Sequence, residues 1–265
     1  MASTKQREGS ADVGGAGGGR RRSSAALRFY AALAVTFLVV ASASYFVLSK
    51  AFPRNQSSAA NAAASLRPSG IPSIISTPVA NVMGLAPVPR KQAPGFSLVD
   101  QYGHTFSLSS FRGKTVVLEF MDPHCTDICP IVSQEFVDAF HYLGANASKV
   151  VFLAVNVNQY HNSVASVQKF SVAHGLNAIT SWHFLTGPFA SLKPIWANYN
   201  IQVLAPNPNA DIIHTSLLYF IDPNGQERFV ATPMVDHTKA GKSYLPSDTI
   251  AAWGHGIANL ANYLA

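Results

Sequence analysis

Cysteine is almost absent from this chain: of 265 residues, only Cys125 and Cys129 carry a thiol. At most one disulfide can therefore form within it. Charge is scarce as well, with Asp, Glu, Lys and Arg together making up 12% of the sequence and none of them falling between Phe29 and Leu48. A basic excess is missing from most of the chain. From Arg90 onward ten Lys and Arg face eleven Asp and Glu, a net of −1, whereas the first 28 residues hold six basic and two acidic residues, a net of +4. A domain that binds nucleic acid concentrates Lys and Arg on its folded surface, so that class of function is excluded. Large apolar residues are nearly missing from Met1 to Arg22, which is rich in Gly, Ser and Ala. Such a segment cannot bury enough surface to offset the entropy of ordering, and residues 1–26 are predicted to be a disordered basic tail. No internal repeat is present.

The uncharged run from Phe29 to Leu48 is long enough at 1.5 Å per residue to cross a hydrocarbon core of about 30 Å. Arg20, Arg21, Arg22 and Arg28 flank its leading side, against Lys50 and Arg54 on the other. This asymmetry predicts a single-pass anchor over 27–49, in the inner membrane, with the tail in the cytoplasm and the rest in the periplasm or an equivalent space. Ala41-Ser42-Ala43 also has the form of a signal-peptide cleavage site, and either reading sends the rest of the chain across the membrane. Residues 50–92, rich in Ala, Ser and Pro, are predicted to be an extended tether, with 93–265 as the folded domain, although the apolar residues of Ile71–Leu85 leave that portion able to pack on the domain.

Within that domain strand and helix patterns alternate. Phe96–Val99 and Thr105–Leu108 flank a turn at Tyr102-Gly103 and predict a hairpin. Thr115–Met121 and Val150–Val157 are near-continuous apolar runs, as strands buried on both faces require. Helical spacing recurs from Ile131 to Leu143 and from Val164 to Val172, with Gly175 placed to end the second helix. Trp182–Leu185 predicts a strand, Pro188 opens a helix to about Tyr199, and Thr215–Ile221 predicts a strand turning at Asp222-Pro-Asn-Gly225 into Glu227–Ala231. A Ser247-Asp248 start opens an amphipathic helix to Leu264. The sum is an α/β fold: a mixed sheet with parallel strands joined by helices and antiparallel hairpins at both ends.

The two cysteines lie in Cys125-Thr-Asp-Ile-Cys129-Pro130, between a buried strand and a helix. Paired thiols there can exchange electrons, bind a soft metal or lock a loop. A bridge closing only five residues removes little chain entropy, which argues against a purely structural role. At i and i+4 the Cβ atoms are about 5–6 Å apart, near enough for a bridge after small adjustment or for both sulfurs to hold one ion. The positive end of the helix favours both thiolates. A soft ion wants a third ligand, and nine histidines are available. His124 adjoins Cys125, His141 falls on the following helix, and His214 ends the loop Ala205–Ile213, which in a thioredoxin-like layout passes beside the cysteine turn. Two Cys and one His fall short of the four ligands of a closed zinc site. A peroxidase turn would place Thr where Asp122 stands.

Residues 95–114, with Gly95-Phe-Ser-Leu and Phe111-Arg-Gly-Lys114, resemble the opening of redoxin domains. His124-Cys-Thr-Asp-Ile-Cys-Pro130, Phe184-Leu-Thr-Gly187 and His214-Thr-Ser-Leu-Leu-Tyr-Phe-Ile-Asp-Pro-Asn-Gly225 are similar to the pattern of the Sco/SenC/PrrC family, over roughly Ala93 to Leu264. The resemblance implies a membrane-anchored, thioredoxin-like protein binding Cu(I) or Cu(II) through Cys125, Cys129 and His214. It implies a role in maturing the CuA site of cytochrome c oxidase, with the oxidase subunit carrying CuA or another copper donor or acceptor as partner. That role is met by copper delivery or by reduction of target cysteines through the Cys125–Cys129 redox pair. A thiol-disulfide oxidoreductase without a metal role, or a redox or copper sensor, fits the same residues. The chain departs from the family at Thr126 (usually Pro), Ile213 (usually Asp), Asn156–His161 (usually Asp-Pro-x-x-Asp-Thr) and Met121–Pro123. Acidic groups near the site are fewer as a result, with Asp122, Asp127 and Asp211 remaining.

Overall fold

The structure, a computed structural model, describes residues 67–210 and 212–265. The tail and the uncharged run at 29–48 lie outside these residues, as does Asp211. Among the described residues no helix is long and apolar enough to cross a membrane.

A six-stranded mixed sheet organises the domain. Strands β4 (Thr115–Met121), β5 (Val150–Asn156) and β6 (Trp182–Leu185) run parallel, joined by helices α2 (Cys129–Leu143) and α3 (Val164–Ala173). On the other side of β4, strands β9 (Leu218–Ile221), β10 (Gln226–Ala231) and β1 (Ala86–Gln92) add antiparallel, giving the order β1-β10-β9-β4-β5-β6. Every residue of β4 and β5 is buried, which accounts for their unbroken apolar runs. Side-chain alternation along β4 sends Val117 and Met121 to one face and Leu118 and Phe120 to the other. On the first face lie α1 (Thr77–Val82), α2, α3 and α5 (Ser247–Leu264). On the second lie α4 (Phe189–Asn198) and the hairpin β2 (Ser97–Val99)–β3 (Thr105–Ser107), which forms its own small sheet instead of joining the main one. Its turn needs the left-handed backbone that Gly103 supplies at φ +83°.

The domain begins well before residue 93. Ile71, Ile75, Ala80, Met83 and Leu85 are buried in the first core, and β1 pairs with β10 through Ala86↔Val230 and Lys91↔Glu227. The stretch from 71 to 92, expected to be tether, is part of the fold, because its scattered apolar residues have a helix face and a sheet edge to cover. Helix α5 accepts α1 through Gly256, where an added Cβ would stand 2.8 Å from Val79 Cγ1 and closer still to Met83 Sδ. Gly256→Ala is therefore expected to cost about 1–3 kcal/mol by overpacking, measured as a lower denaturant midpoint.

The strand expected over Thr215–Ile221 is divided. Ile213–His214 (β8) pairs with Val203–Leu204 (β7) in a separate ribbon, and β9 starts only at Leu218. The Thr215 N–H is spent on the Gln202 carbonyl (3.0 Å), so the chain must bend at Ser216-Leu217 before it can join β4.

Candidate metal and thiol site

Strand β4 ends at Met121 and hands the chain to a turn built on Asp122. This buried carboxylate accepts the His124 N–H (2.8 Å) and the Asn158 side-chain amide (2.9 Å), while its backbone carbonyl accepts the Cys125 N–H (3.1 Å). The turn thus presents Cys125 half-buried, and α2 begins directly at Cys129, with Pro130 in its first turn where a missing N–H costs nothing. Cys129 falls on the stripe with Val132, Phe136, Ala139 and Leu143, which fixes its side chain in the core beneath Cys125.

Both cysteines are free thiols, and they are not equivalent. The Cys129 thiol hydrogen-bonds to Cys125 and, together with the N–H groups of Cys129 (3.4 Å) and Asp127, brings the Cys125 thiol down to about 7 against the pull of burial. The same bond and burial push Cys129 well up. One proton is therefore shared, with Cys125 as thiolate and Cys129 as its donor. The expectation that the helix end favours both thiolates is corrected: it favours one, because two adjacent anions repel and Cys129 lacks solvent.

His214 reaches the site from β8. Its Nδ1 lies 3.0 Å from the Thr215 carbonyl, which can only accept, so Nδ1 carries the proton and Nε2 keeps its lone pair. Burial lowers its pKa, holding the ring neutral as a ligand requires. Cys125 and His214 line one cavity of about 410 Å3, walled by Asp122, Ile212, Ile213 and Ser216. Among the described residues no three His, Cys, Asp or Glu side chains already converge on one point. The donor set, two sulfurs and a neutral imidazole, is suited to Cu(I).

His124, the sequence neighbour of Cys125, turns the other way. It stacks on His161 (centroids 3.5 Å apart, planes 15° apart) in an adjoining cavity of about 390 Å3 that shares only Asp122 with the first. His141 is exposed on α2. Asp127, central in the cysteine turn, is held by His237 Nε2 (3.2 Å) and by the Ser243 hydroxyl, from the short hairpin β11 (Asp236–His237)–β12 (Ser243–Tyr244).

Sequence reasoning missed two carboxylates behind the pair. Glu119 on β4 and Glu135 on α2 are both buried, each with one oxygen lacking a partner. Burial pushes Glu119 up to about 8, opposed by hydrogen bonds from the Phe120 N–H and the Ser216 hydroxyl (3.2 Å), and pushes Glu135 well up. The signal for Glu119 was a lone acid inside an apolar strand.

A buried mixed sheet with a two-cysteine turn where its central strand meets a helix defines a thioredoxin-like protein. Residues 87–241, more than half of the chain, match the SCO1/SenC family model, and the chain belongs to that family. Among curated relatives, the SCO1 protein homolog of Bacillus subtilis (strain 168) is 26% identical over 133 residues, covering 49% of this chain and 68% of that protein. The mitochondrial protein SCO2 homolog of Bos taurus is 26% identical over 140 residues, covering 49% of this chain and 50% of its own. The chain thus spans from half to about two thirds of these relatives. In structure it is similar to a SCO1/SenC family lipoprotein from Bacillus anthracis str. Ames (TM-score 0.52, 21% identity, 67% of this chain and 96% of that one). It is also similar to Bradyrhizobium japonicum ScoI, solved with copper bound (TM-score 0.51, 20% identity, 66% and 100%). At these identities the structures establish the shared fold.

Proposed function

We propose that this protein binds copper through Cys125, Cys129 and His214 and assists maturation of the CuA site of cytochrome c oxidase, anchored by the uncharged run at 29–48 with residues 67–265 outside the cytoplasm. One observation carries the reading: Cys125 and a neutral His214 face the same cavity, with Cys129 directly beneath. Membership of the family and a relative's copper-bound structure support it. Copper is here a cargo, passed on by exchange of these ligands for those of an acceptor.

A second reading, thiol-disulfide exchange with a partner, is favoured by the unequal pair. The Cys125 thiolate would attack a partner disulfide, forming a mixed disulfide and expelling a partner thiolate. Cys129, giving up its proton, would then attack Cys125 and release the second partner sulfur. Two electrons pass to the partner, and a dithiol reductant restores the pair.

Titration of the reduced full chain with Cu(I) against a chromophoric chelator separates the two. One equivalent is expected. His214→Ala is expected to weaken binding at least about a hundredfold, since loss of groups that merely orient a ligand already costs 10- to 100-fold, and to leave reduction of a model disulfide nearly intact. Unchanged copper affinity would remove His214 from the site.

A further inference from the structure

We propose that Leu204 and Ile213 form an apolar lip that selects the partner: an extended segment of another protein whose reacting cysteine is flanked by large apolar side chains. This deepens the proposed function and rests on Cys125 acting on a partner's sulfur. Leu204 and Ile213 are direct cross-strand partners in the β7–β8 ribbon, and they are 60% and 67% exposed. Alternation turns the other pair of the ribbon, Val203 and His214, toward the protein, where both are half-buried. The outward pair therefore contributes nothing to the core, yet it sets two large aliphatic side chains together in water. Such a patch marks a contact surface when it borders a reactive group.

The lip does border one. Ile213 walls the cavity that holds Cys125, beside Ile212 and Ile128. Leu204 opens on the far side into a groove of about 440 Å3 with Phe189, which is 41% exposed, and Trp196. The ridge thus joins the thiol cavity to an apolar groove, a track that an extended segment can follow while one side chain enters the cavity. Charge restricts the occupant further. Asp122 and Asp127 line the thiol cavity and no Lys or Arg does, so an acidic side chain beside the reacting cysteine would meet like charge there, relieved only by His237 on Asp127, while the one cation of the track, Lys193, lies away in the groove.

Two peptides test this, each with one cysteine joined by a disulfide to thionitrobenzoate, one flanked by Leu and Ile and the other by Asp and Ser. The Cys125 thiolate attacks the peptide sulfur, the disulfide breaks, and the coloured thiolate leaves with the electron pair. The reduced full chain is expected to react at least about tenfold faster with the apolar peptide, the scale on which apolar pockets discriminate. Leu204→Thr and Ile213→Thr, which keep β-prone side chains, are expected to bring the ratio of the two rates close to that of the free thiol glutathione. Should Ile213→Thr disturb the cavity, Leu204→Thr alone decides, since Leu204 is off the cavity wall. No preference in the wild type, or one that survives Leu204→Thr, overturns the lip. A dimer in sedimentation that Leu204→Thr dissociates gives the lip to a second copy, and a peptide rate that rises in Leu204→Thr gives it to the chain's own leading segment. Either result overturns the proposal. Failure of both peptides together with the small disulfide of Ellman's reagent sinks the thiol reading itself.

Discussion

A chain starting at Arg90, where composition places the end of the tether, is expected to lose most or all of its cooperative folding. It lacks Ile71, Ile75, Met83 and Leu85, all buried in the core shared by α2 and α5. Burying each such side chain stabilises a fold by about 1.5–3 kcal/mol. The loss, roughly 6–12 kcal/mol, is of the order of the whole stability of a domain. Half of β1 goes with it, including Ala86 and Pro87 opposite Val230 and Phe229, as does the bond from the Thr232 N–H to the Met83 carbonyl (2.9 Å). Denaturant unfolding of chains starting at residues 67 and 90 checks this. Equal midpoints would mean that the leading segment is not part of the folding unit. The result bears on function as well, since a copper titration of the shorter chain would report on an unfolded protein in which two thiols still bind metal.

Residues 71–92 were only partly legible in the sequence, which left Ile71–Leu85 able to pack on the domain but placed the boundary at 93, for a physical reason. Pro87 and Pro89 speak against a strand, but β1 is the edge of the sheet, where a missing N–H costs no ladder bond, and its pairing with β10 shifts register between Pro87 and Lys91. Helix α1 is a six-residue helix whose apolar residues gain meaning only against α5. By contrast β4 and β6 fall where their apolar runs place them, because strands covered on both faces owe their pattern to burial and need no knowledge of their neighbours. At the site the cysteine pair was legible from spacing alone. His214 was not: its approach depends on the ribbon between residues 203 and 214, a long-range pairing that only a likeness to a family suggested. The different roles of the two thiols were also illegible, since they follow from burial of Cys129, and Glu119 was hidden by the apolar strand that carries it.

Glu119→Gln is expected to abolish a large loss of stability that the wild type suffers between mildly acidic and alkaline pH. Burial holds the Glu119 carboxyl at about 8 in the folded protein, against 4.5 for the free group. The folded state therefore keeps a proton that the unfolded chain releases above about 4.5. Its share of stability is complete below that pH and is lost as the pH rises through about 8, with a full extent of about 5 kcal/mol at 1.36 kcal/mol per pKa unit. Glu135, pushed up by burial and by Glu119, adds to the loss in the same direction. Cys125 works the other way: its thiol, brought down to about 7, contributes stability that is present above the thiol's ordinary range and lost as the pH falls through 7. His214, lowered by burial, likewise costs stability only on the acid side. The difference between wild type and Glu119→Gln at each pH isolates the carboxyl, because the amide cannot ionise and its oxygen still accepts the Ser216 hydroxyl. Urea midpoints from pH 5 to 8.5 should diverge, with the variant several kcal/mol more stable at the alkaline end; parallel curves would show that water or structural relaxation solvates Glu119 in the folded state. Divergence would also carry a consequence for the thiols. An ionised Glu119 raises Cys129 further, so the variant should hold the deeper sulfur more acidic, and more ready to bind copper or close a disulfide, at alkaline pH.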